Sequence, residues 1–155
     1  MEFNSNPISY REKANIIYSN LIPDKDKFFS LFETTGWNDY YNLNRDELIS
    51  AISASWYMIA AYKDNSLVGF GRIISDGILH ALIVDMIVHP GFKKRGIGTM
   101  ILKSLLDQCK KHNIRDIQLF CARGKTEFYK RNGFVIRHVT SPGMELQSYK
   151  SFKES

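Results

Sequence analysis

The chain has few cysteines, with only Cys109 and Cys121 among its 155 residues. One lies inside a predicted helix and the other at the end of a predicted strand, so no disulfide framework is expected, and both are interpreted as reduced core thiols. The four histidines share no metal-ligand spacing with these cysteines, which argues against a zinc site. The sequence therefore predicts no bound metal.

Long apolar runs are also lacking. No stretch approaches the ~20 apolar residues that cross a bilayer, and the first thirty residues do not combine a basic start, an apolar run and a cleavage site. We therefore expect a cytoplasmic protein with no membrane partner. No repeat, low-complexity tract or linker divides the sequence, so residues 1–155 are predicted to form a single domain.

A large excess of one charge is missing too, since 21 Lys and Arg face 16 Asp and Glu, for a net charge of +5. A surplus of this size attracts anions without implying nucleic acid. Basic clusters with interleaved aromatic residues, typical of nucleic-acid binding, are not found. The densest basic run is Lys93-Lys94-Arg95, followed by Gly96 and Gly98, and it indicates one compact anion site.

Hydrophobic periodicity predicts two helices in the first third of the chain. Asp24 is placed to cap the first, which ends before Gly36. Asn44, with Glu47 three residues later, has the spacing of a capping box at the start of the second. Ahead of both helices, Ile8 to Arg11 is interpreted as a short strand.

Three strands rich in aromatic and β-branched residues follow, joined by turn-forming residues as an antiparallel meander. They are predicted at Trp56 to Tyr62, Leu67 to Ser75 and Ile78 to Val88. The segment His89-Pro90-Gly91 then ends the meander, because proline lacks a donor for the ladder and glycine permits unusual dihedral angles.

The second half alternates between helices and strands. The clearest helix spans Gly98 to Lys111, with one apolar and one charged face. The strand Ile114 to Phe120 is reached through that helix, so we expect it to run parallel to the strand before it. A short helix from Lys125 to Arg131 is closed by Asn132-Gly133, and two last strands are predicted at Phe134 to His138 and Met144 to Ser148. The order of elements predicts a mixed α/β sandwich.

Gly96 and Gly98 open the long helix directly after a buried strand. Unpaired backbone N–H groups and the positive end of a helix bind phosphate there, and glycines let an anion approach closely. A plain strand-to-helix turn with solvated cations is the alternative interpretation. A P-loop is excluded because Ile97 and Gly98 stand where it needs Lys and Ser/Thr, and Ile101 stands where a dinucleotide fingerprint has its third glycine.

Three segments resemble the GNAT acyltransferases and occur in the order of that family. They are Val84-Asp85-Met86-Ile87-Val88-His89-Pro90, Lys93-Lys94-Arg95-Gly96-Ile97-Gly98 and Phe128-Tyr129-Lys130-Arg131-Asn132-Gly133-Phe134. The family loop is usually written Gln/Arg-x-x-Gly-x-Gly/Ala, so Lys93 departs from its first position while both glycines match. Asp76-Gly77 and Gly36-Trp37 are similar to small bacterial members and to plant-type arylalkylamine acetyltransferases.

The resemblance implies the family fold, a mostly antiparallel sheet with helices on both faces and one splayed pair of parallel strands. Acetyl-CoA would lie where the strand ending at Val88 diverges from the strand ending at Phe120. Backbone groups near Ile87 and Val88 would bind the pantetheine and polarise the thioester carbonyl. The residues implied for cofactor binding are Ile87, Val88, Lys93, Lys94, Arg95, Gly96, Ile97, Gly98, Thr99 and Phe128.

Two catalytic residues follow from the same resemblance. Tyr129 matches the family tyrosine that protonates the CoA thiolate, and a phenol with a pKa of ~10 stays protonated at neutral pH. Asp85 lies where many members carry a carboxylate and could accept the amine proton through a water. An ion-paired strand residue is the alternative for Asp85, and His89 and His80 are other candidate bases because imidazole titrates near neutrality.

The acceptor implied by the resemblance is a primary amine, on a small molecule or on a peptide. Trp37, Tyr40 and Tyr41 lie between the two early helices, a region that covers the acceptor site in the family. They either hold an apolar or aryl amine or simply pack the helices. A non-catalytic acyl-CoA sensor or nucleic-acid-binding module is the alternative function, and family members are often homodimers.

Overall fold

Five strands form one mixed sheet in the computed structural model, which describes residues 15–146. In chain order they are β1 (Ile16–Ser19), β2 (Tyr57–Lys63), β3 (Ser66–Ser75), β4 (His80–Val88) and β5 (Asp116–Leu119). They lie in the same order across the sheet. The first four are antiparallel to their neighbours, and β5 runs parallel to β4. The predicted meander and the predicted parallel strand are therefore confirmed.

Within residues 15–146, five α-helices and one 3-10 turn accompany the sheet. They are α1 (Lys25–Glu33), α2 (Asn38–Tyr41), α3 (Arg45–Ser53), α4 (Ile97–Lys111), α5 (Thr126–Arg131) and the 3-10 turn Pro90–Phe92. The carboxylate of Asp24 accepts hydrogen bonds from the first turn of α1, as predicted. At α3 the side chain of Asn44 accepts from the Glu47 amide, and the Glu47 carboxylate accepts from the Asn44 amide. The predicted capping box is thus confirmed.

Two layers of buried residues hold the helices on the sheet. On one face, α1 and α3 bury Phe28 and Ile52 against Phe70 of β3. On the other face, α4 buries Ile101 and Leu105 against the inner positions of β2, β3 and β4. Strands alternate their side chains between faces, so β3 contributes to both layers. Helices on both faces of a mixed sheet confirm the predicted fold class.

Two glycines of β3 let α4 approach the sheet closely. A Cβ atom placed on Gly69 would lie 2.9 Å from Ile97 Cγ2 and 2.9 Å from Ile101 Cδ1. A Cβ atom placed on Gly71 would lie 2.7 Å from Ile101 Cγ2 and 2.7 Å from Met86 Sδ. All four separations are shorter than a Cβ atom adopts in packed interiors, so side chains at these positions would force α4 or the Met86 side chain to move.

We expect Gly71→Val to destabilise the protein by about 1–3 kcal/mol, because extra methyl groups would overpack the interface with α4. The midpoint of thermal unfolding should fall by several degrees, measured by circular dichroism. Ser66→Val is the matched control, since Ser66 lies on the same strand and is exposed. An unchanged midpoint for Gly71→Val would contradict the close packing of the helix on this glycine.

The last predicted strands are wrong within the described residues. Residues 134–138 and 144–146 have no regular secondary structure, and residues 147 and 148 lie outside the described part. Side-chain contacts fix the first segment instead: Arg137 donates to Gln118 Oε1 and to Ser141 Oγ. Val135 and Ile136 are left exposed. Strand propensity favours a strand without dictating one, and residues 134–138 form no ladder with the outer edge of β5.

Two further elements, β1 and α2, differ from prediction. The strand β1 was not predicted, and the predicted strand Ile8 to Arg11 lies outside the described residues. The short helix α2 occupies part of a predicted loop.

Cys109 is a buried free thiol, as expected, but Cys121 is exposed, because β5 ends before it at Leu119. Among residues 15–146, no helix has both the length and the apolar character that crossing a membrane requires.

Candidate active site

The site begins where β4 and β5 part. Their parallel pairing covers only four residues of each strand and ends at Ile83 and Leu119, although β4 continues to Val88. The His89 amide donates to the Val68 carbonyl at 2.8 Å. Because alternate residues of an antiparallel strand direct their polar groups to opposite sides, the backbone groups of Val88 point away from β3 and into the opening.

A bulge in β4 marks the place where the strands separate. Phe70 pairs with Ile87, but Arg72 pairs with Val84, so Asp85 and Met86 together face one residue of β3. Asp85 has a left-handed backbone, with φ of 53°. This conformation is uncommon outside glycine and is tolerated best by Asp and Asn.

The loop before α4 presents bare backbone amides to solvent. Lys94 and Gly96 are both left-handed, with φ of 61° and 79°, and Gly96 forms the helix N-cap without any side-chain hydrogen bond. The first amide to bond within the helix belongs to Met100, which leaves those of residues 97–99 free. Left-handed residues before a helix start form an anion-binding concavity, and the helix dipole adds to it.

Positive charge surrounds these amides. Lys93, Lys94 and Arg95 are exposed, and none of them forms a salt bridge within residues 15–146. The guanidinium of Arg95 lies over the ring of Phe92, 5.1 Å from its centroid. Such a contact orients a cation without neutralising it. The structure thus brings together the basic loop and the glycines that the sequence singled out.

Three elements of the site converge on Gly98. A Cβ atom placed there would lie 3.4 Å from Val88 Cγ2 on β4 and 3.6 Å from Phe128 Cζ on α5. The Phe128 ring in turn packs edge-on against Tyr129, with 5.0 Å between centroids. The end of β4, the start of α4 and the helix α5 therefore share one opening.

Tyr129 is buried, with 8% of its surface exposed. Burial raises the pKa of its phenol, and Coulombic repulsion from the nearby Cys121 sulfur raises it further. The hydroxyl has no hydrogen-bond partner in the described part of the chain. Every fully buried polar side-chain atom in that part has a partner, so this hydroxyl is not fully buried. The hydroxyl therefore reaches the surface and can donate to a ligand.

Asp85 is paired with Arg72, a residue that sequence reasoning missed. The Arg72 Nε donates to Asp85 Oδ2 at 2.6 Å, and the two side chains are 14% and 25% exposed. The Nη1 group of Arg72 also contacts the carbonyl of Ala51 and the hydroxyl of Ser55, at 3.2 and 3.4 Å. A lone arginine within the apolar strand β3 was the signal that could have found it.

The two histidines considered as bases lie in different places. His80 begins β4, and eight residues at about 3.3 Å each separate it from Val88, so it lies at the far end of the strand. Its ring contacts Asp116 at 2.9 Å. His89 is close to the opening, but its Nδ1 accepts a hydrogen bond from the Gly91 amide at 3.0 Å. Within residues 15–146, no group of His, Cys, Asp and Glu could hold a metal ion.

The early aromatic residues have divided roles. Trp37 packs edge-on against Phe32, 5.9 Å between centroids, and so belongs to the layer beneath α1. Tyr40 and Tyr41 are 53% and 45% exposed, and they stack edge-on against each other in α2. Packing therefore accounts for Trp37, whereas Tyr40 and Tyr41 keep surface that a ligand could use.

A family model described as acetyltransferase (GNAT) family matches residues 22–134. This range includes the five helices and the strands β2 to β5, and β1 lies before it. The chain belongs to the GNAT acetyltransferase family, and the resemblance noted in three segments is confirmed.

Individual relatives agree with this assignment. An uncharacterized N-acetyltransferase, ycf52 of Pyropia yezoensis, is 36% identical over 72 residues, which cover 46% of this chain and 41% of that protein. The chain thus spans about two fifths of that relative. A probable acetyltransferase from meticillin-resistant Staphylococcus aureus has a TM-score of 0.73 at 20% identity, covering 85% of this chain and 98% of that one.

A third similar protein was solved with a ligand. The paiA N-acetyltransferase of Thermoplasma acidophilum, in complex with coenzyme A, has a TM-score of 0.65 at 19% identity and covers 79% of this chain and 91% of that one. At such identities the two solved structures show a shared fold.

Proposed function

We propose that the protein transfers an acetyl group from acetyl-CoA to a primary amine, with both substrates bound together. The observation that supports this most is the uncapped start of α4, which faces the opening where β4 has lost its partner strand. An anion held at the helix start and an extended chain laid along β4 are what a CoA thioester requires. The complex of the Thermoplasma relative with coenzyme A agrees with this ligand.

The pyrophosphate would bind the loop of α4. The amides of Ile97, Gly98 and Thr99 supply donors at the positive helix end, and the left-handed Gly96 keeps their approach clear. Lys93, Lys94 and Arg95 would add charge around them. The pantetheine would then run past Phe128 towards Val88, whose backbone points into the opening, with Ile87 buried beneath it.

Tyr129 would act as the acid. When the amine nitrogen attacks the thioester carbonyl, a carbon–nitrogen bond forms and the carbon–sulfur bond breaks, leaving CoA as a thiolate. The Tyr129 hydroxyl would donate its proton to that sulfur, and solvent would then return a proton to the phenolate. A backbone amide of β4 would stabilise the negative charge on the carbonyl oxygen while the bonds change.

Asp85 would accept the amine proton. Its Oδ2 is held by Arg72, whereas Oδ1 has no hydrogen bond within the described residues and can contact a water or the amine. The carboxylate lies at the bulge, where the strands begin to part. The proposal thus assigns the proton to one defined oxygen of Asp85.

The acceptor is proposed as a primary amine of a small molecule or of a peptide, approaching beside the exposed Tyr40 and Tyr41. We further propose that residues 1–155 form a single N-acetyltransferase domain without a metal and that the protein works in the cytoplasm, as a monomer or a homodimer. The match of the family model in one continuous stretch, residues 22–134, supports the single domain.

Release of CoA thiol from acetyl-CoA tests the proposal directly. The purified chain should release thiol with at least one member of an amine panel that contains a polyamine, an aryl amine, an amino acid, an aminoglycoside and a peptide. Mass spectrometry should show one added acetyl group on that amine. Tight binding of one acetyl-CoA per chain without turnover on any amine would favour a sensor and overturn the enzymatic proposal.

The pH dependence of turnover should reflect the environment of Tyr129. Its raised pKa means that the acid form persists at higher pH, so kcat should show no loss from tyrosine ionisation below about pH 10. Ultraviolet difference titration of the protein and of its Tyr129→Phe variant isolates this phenol. A titration lost in the variant and centred clearly below pH 10 would contradict the burial of the Tyr129 side chain.

A further inference from the structure

The left-handed conformation of Asp85 needs a cause. Asp85 lies inside a strand rather than in a turn, and no glycine occupies the bulge. A non-glycine residue keeps such a conformation only when its surroundings determine it, and these residues cluster where a backbone has to be aimed. The contacts of the Asp85 side chain therefore help to set the shape of the opening.

Arg72 supplies those contacts and connects them to a second element. Its Nε holds Asp85 Oδ2 at 2.6 Å, while its Nη1 reaches Ala51 and Ser55 at the C-terminal end of α3. One planar guanidinium thus bridges the bulge and the helix on that face of the sheet. Lysine could keep one of these contacts but lacks the fork of donors that makes both.

The contact between Arg72 and Asp85 acts on the part of β4 that borders the opening. Pairing with β5 ends at Ile83, two residues before Asp85, and Val88 follows three residues after it. A change in the backbone at Asp85 therefore turns the segment that carries the free Val88 groups. The anion loop of α4 lies on a separate element and does not contact Arg72.

We propose that Arg72 is a positioning residue, which fixes the Asp85 carboxylate and the left-handed bulge and thereby aims the open part of β4 at the acetyl group. This proposal rests on the proposed function. It predicts a loss in kcat with little change in the binding of acetyl-CoA, since the pyrophosphate site is independent of the pair.

The test compares Arg72→Met, which keeps the stem and removes the charge, with Arg72→Lys. Arg72→Met should lower kcat by at least about tenfold, because small misplacement of reacting groups is costly, and should change KM for acetyl-CoA less than about threefold. Arg72→Lys should recover part of kcat. Arg45→Met is the matched control, because Arg45 pairs with Asp26 on the exposed surface of α3, and it should match wild type.

A double-mutant cycle identifies the partner. If Arg72 acts through the carboxylate, Arg72→Met combined with Asp85→Asn should lose no more kcat than the worse single variant. Asn is suitable because it tolerates the left-handed backbone. Losses that multiply in full, or a kcat for Arg72→Met equal to wild type, would overturn the proposal.

Amide hydrogen exchange tests the same proposal without turnover. In Arg72→Met, peptides spanning residues 84–89 should exchange at least about fivefold faster, while those of α4 keep their wild-type rates. Equal rates in residues 84–89 would overturn the proposal. Silence of the wild type on every amine would instead overturn the proposed function, and the exchange result would still decide the role of Arg72.

Discussion

Replacing Tyr129 with phenylalanine is expected to lower kcat by about 10²- to 10⁴-fold, the usual contribution of a positioned acid. The variant removes one oxygen atom and keeps the ring, which packs against Phe128 and Phe134, so the fold should persist. KM for acetyl-CoA should change little, because the hydroxyl acts on the departing sulfur. Single-turnover measurements of thiol release are preferred, since slow product release can mask a chemical step.

Tyr57→Phe is the matched control for this prediction. Tyr57 lies on β2, is partly buried, and its phenol also has a pKa raised by burial, but it lies outside the opening between β4 and β5. Its variant should turn over like wild type. If Tyr129→Phe keeps a kcat within about twofold of wild type under saturating substrates, the phenol is not the acid and the thiolate leaves unprotonated or takes its proton from water.

Reversing the charge of Arg95 is expected to weaken acetyl-CoA binding by about 10- to 100-fold, roughly 1.4–2.8 kcal/mol. Arg95→Glu places a carboxylate beside the bare amides of α4, where it competes with the pyrophosphate for the same donors. Isothermal titration calorimetry of acetyl-CoA measures the effect. The difference from wild type should shrink as salt is raised, because exposed charges are screened over about 8–10 Å at physiological ionic strength.

Lys110→Glu is the control for the charge itself. It changes the net charge by the same amount on the same helix, but Lys110 lies about 20 Å away at the other end of α4. Its affinity should stay within about twofold of wild type. Equal losses in the two variants would mean that net charge alone attracts the ligand and that the loop has no specific site.

Much of the fold could be predicted because local signals and long-range packing agree. The helix α4 has an unbroken apolar face from Ile97 to Cys109, and α3 has both halves of its capping box. The segment Phe134 to His138 has strand propensity as well, yet forms no strand. A strand forms only when its backbone pairs with another strand, and short sequence windows do not contain that information.

The site was likewise predictable only where its residues are contiguous in sequence. The glycines and cations of the anion loop are contiguous in sequence, so their composition already indicates an anion site. The bulge at Asp85 leaves no such trace, because its left-handed backbone and its pairing with Arg72 join residues of different strands. The aspartate within an apolar run was visible, but its partner and its geometry required the sheet.

The divergence of β4 and β5 also limits the shape of what can enter. Neighbouring strands lie about 4.8 Å apart, so a gap that starts from that spacing is narrow at its base and flanked by backbone. A slender, flexible molecule with amide groups of its own can lie there as a strand would, whereas a fused ring system cannot reach the base. Selection among possible acyl donors would then begin with the width of the chain that enters this gap, before any side chain makes contact.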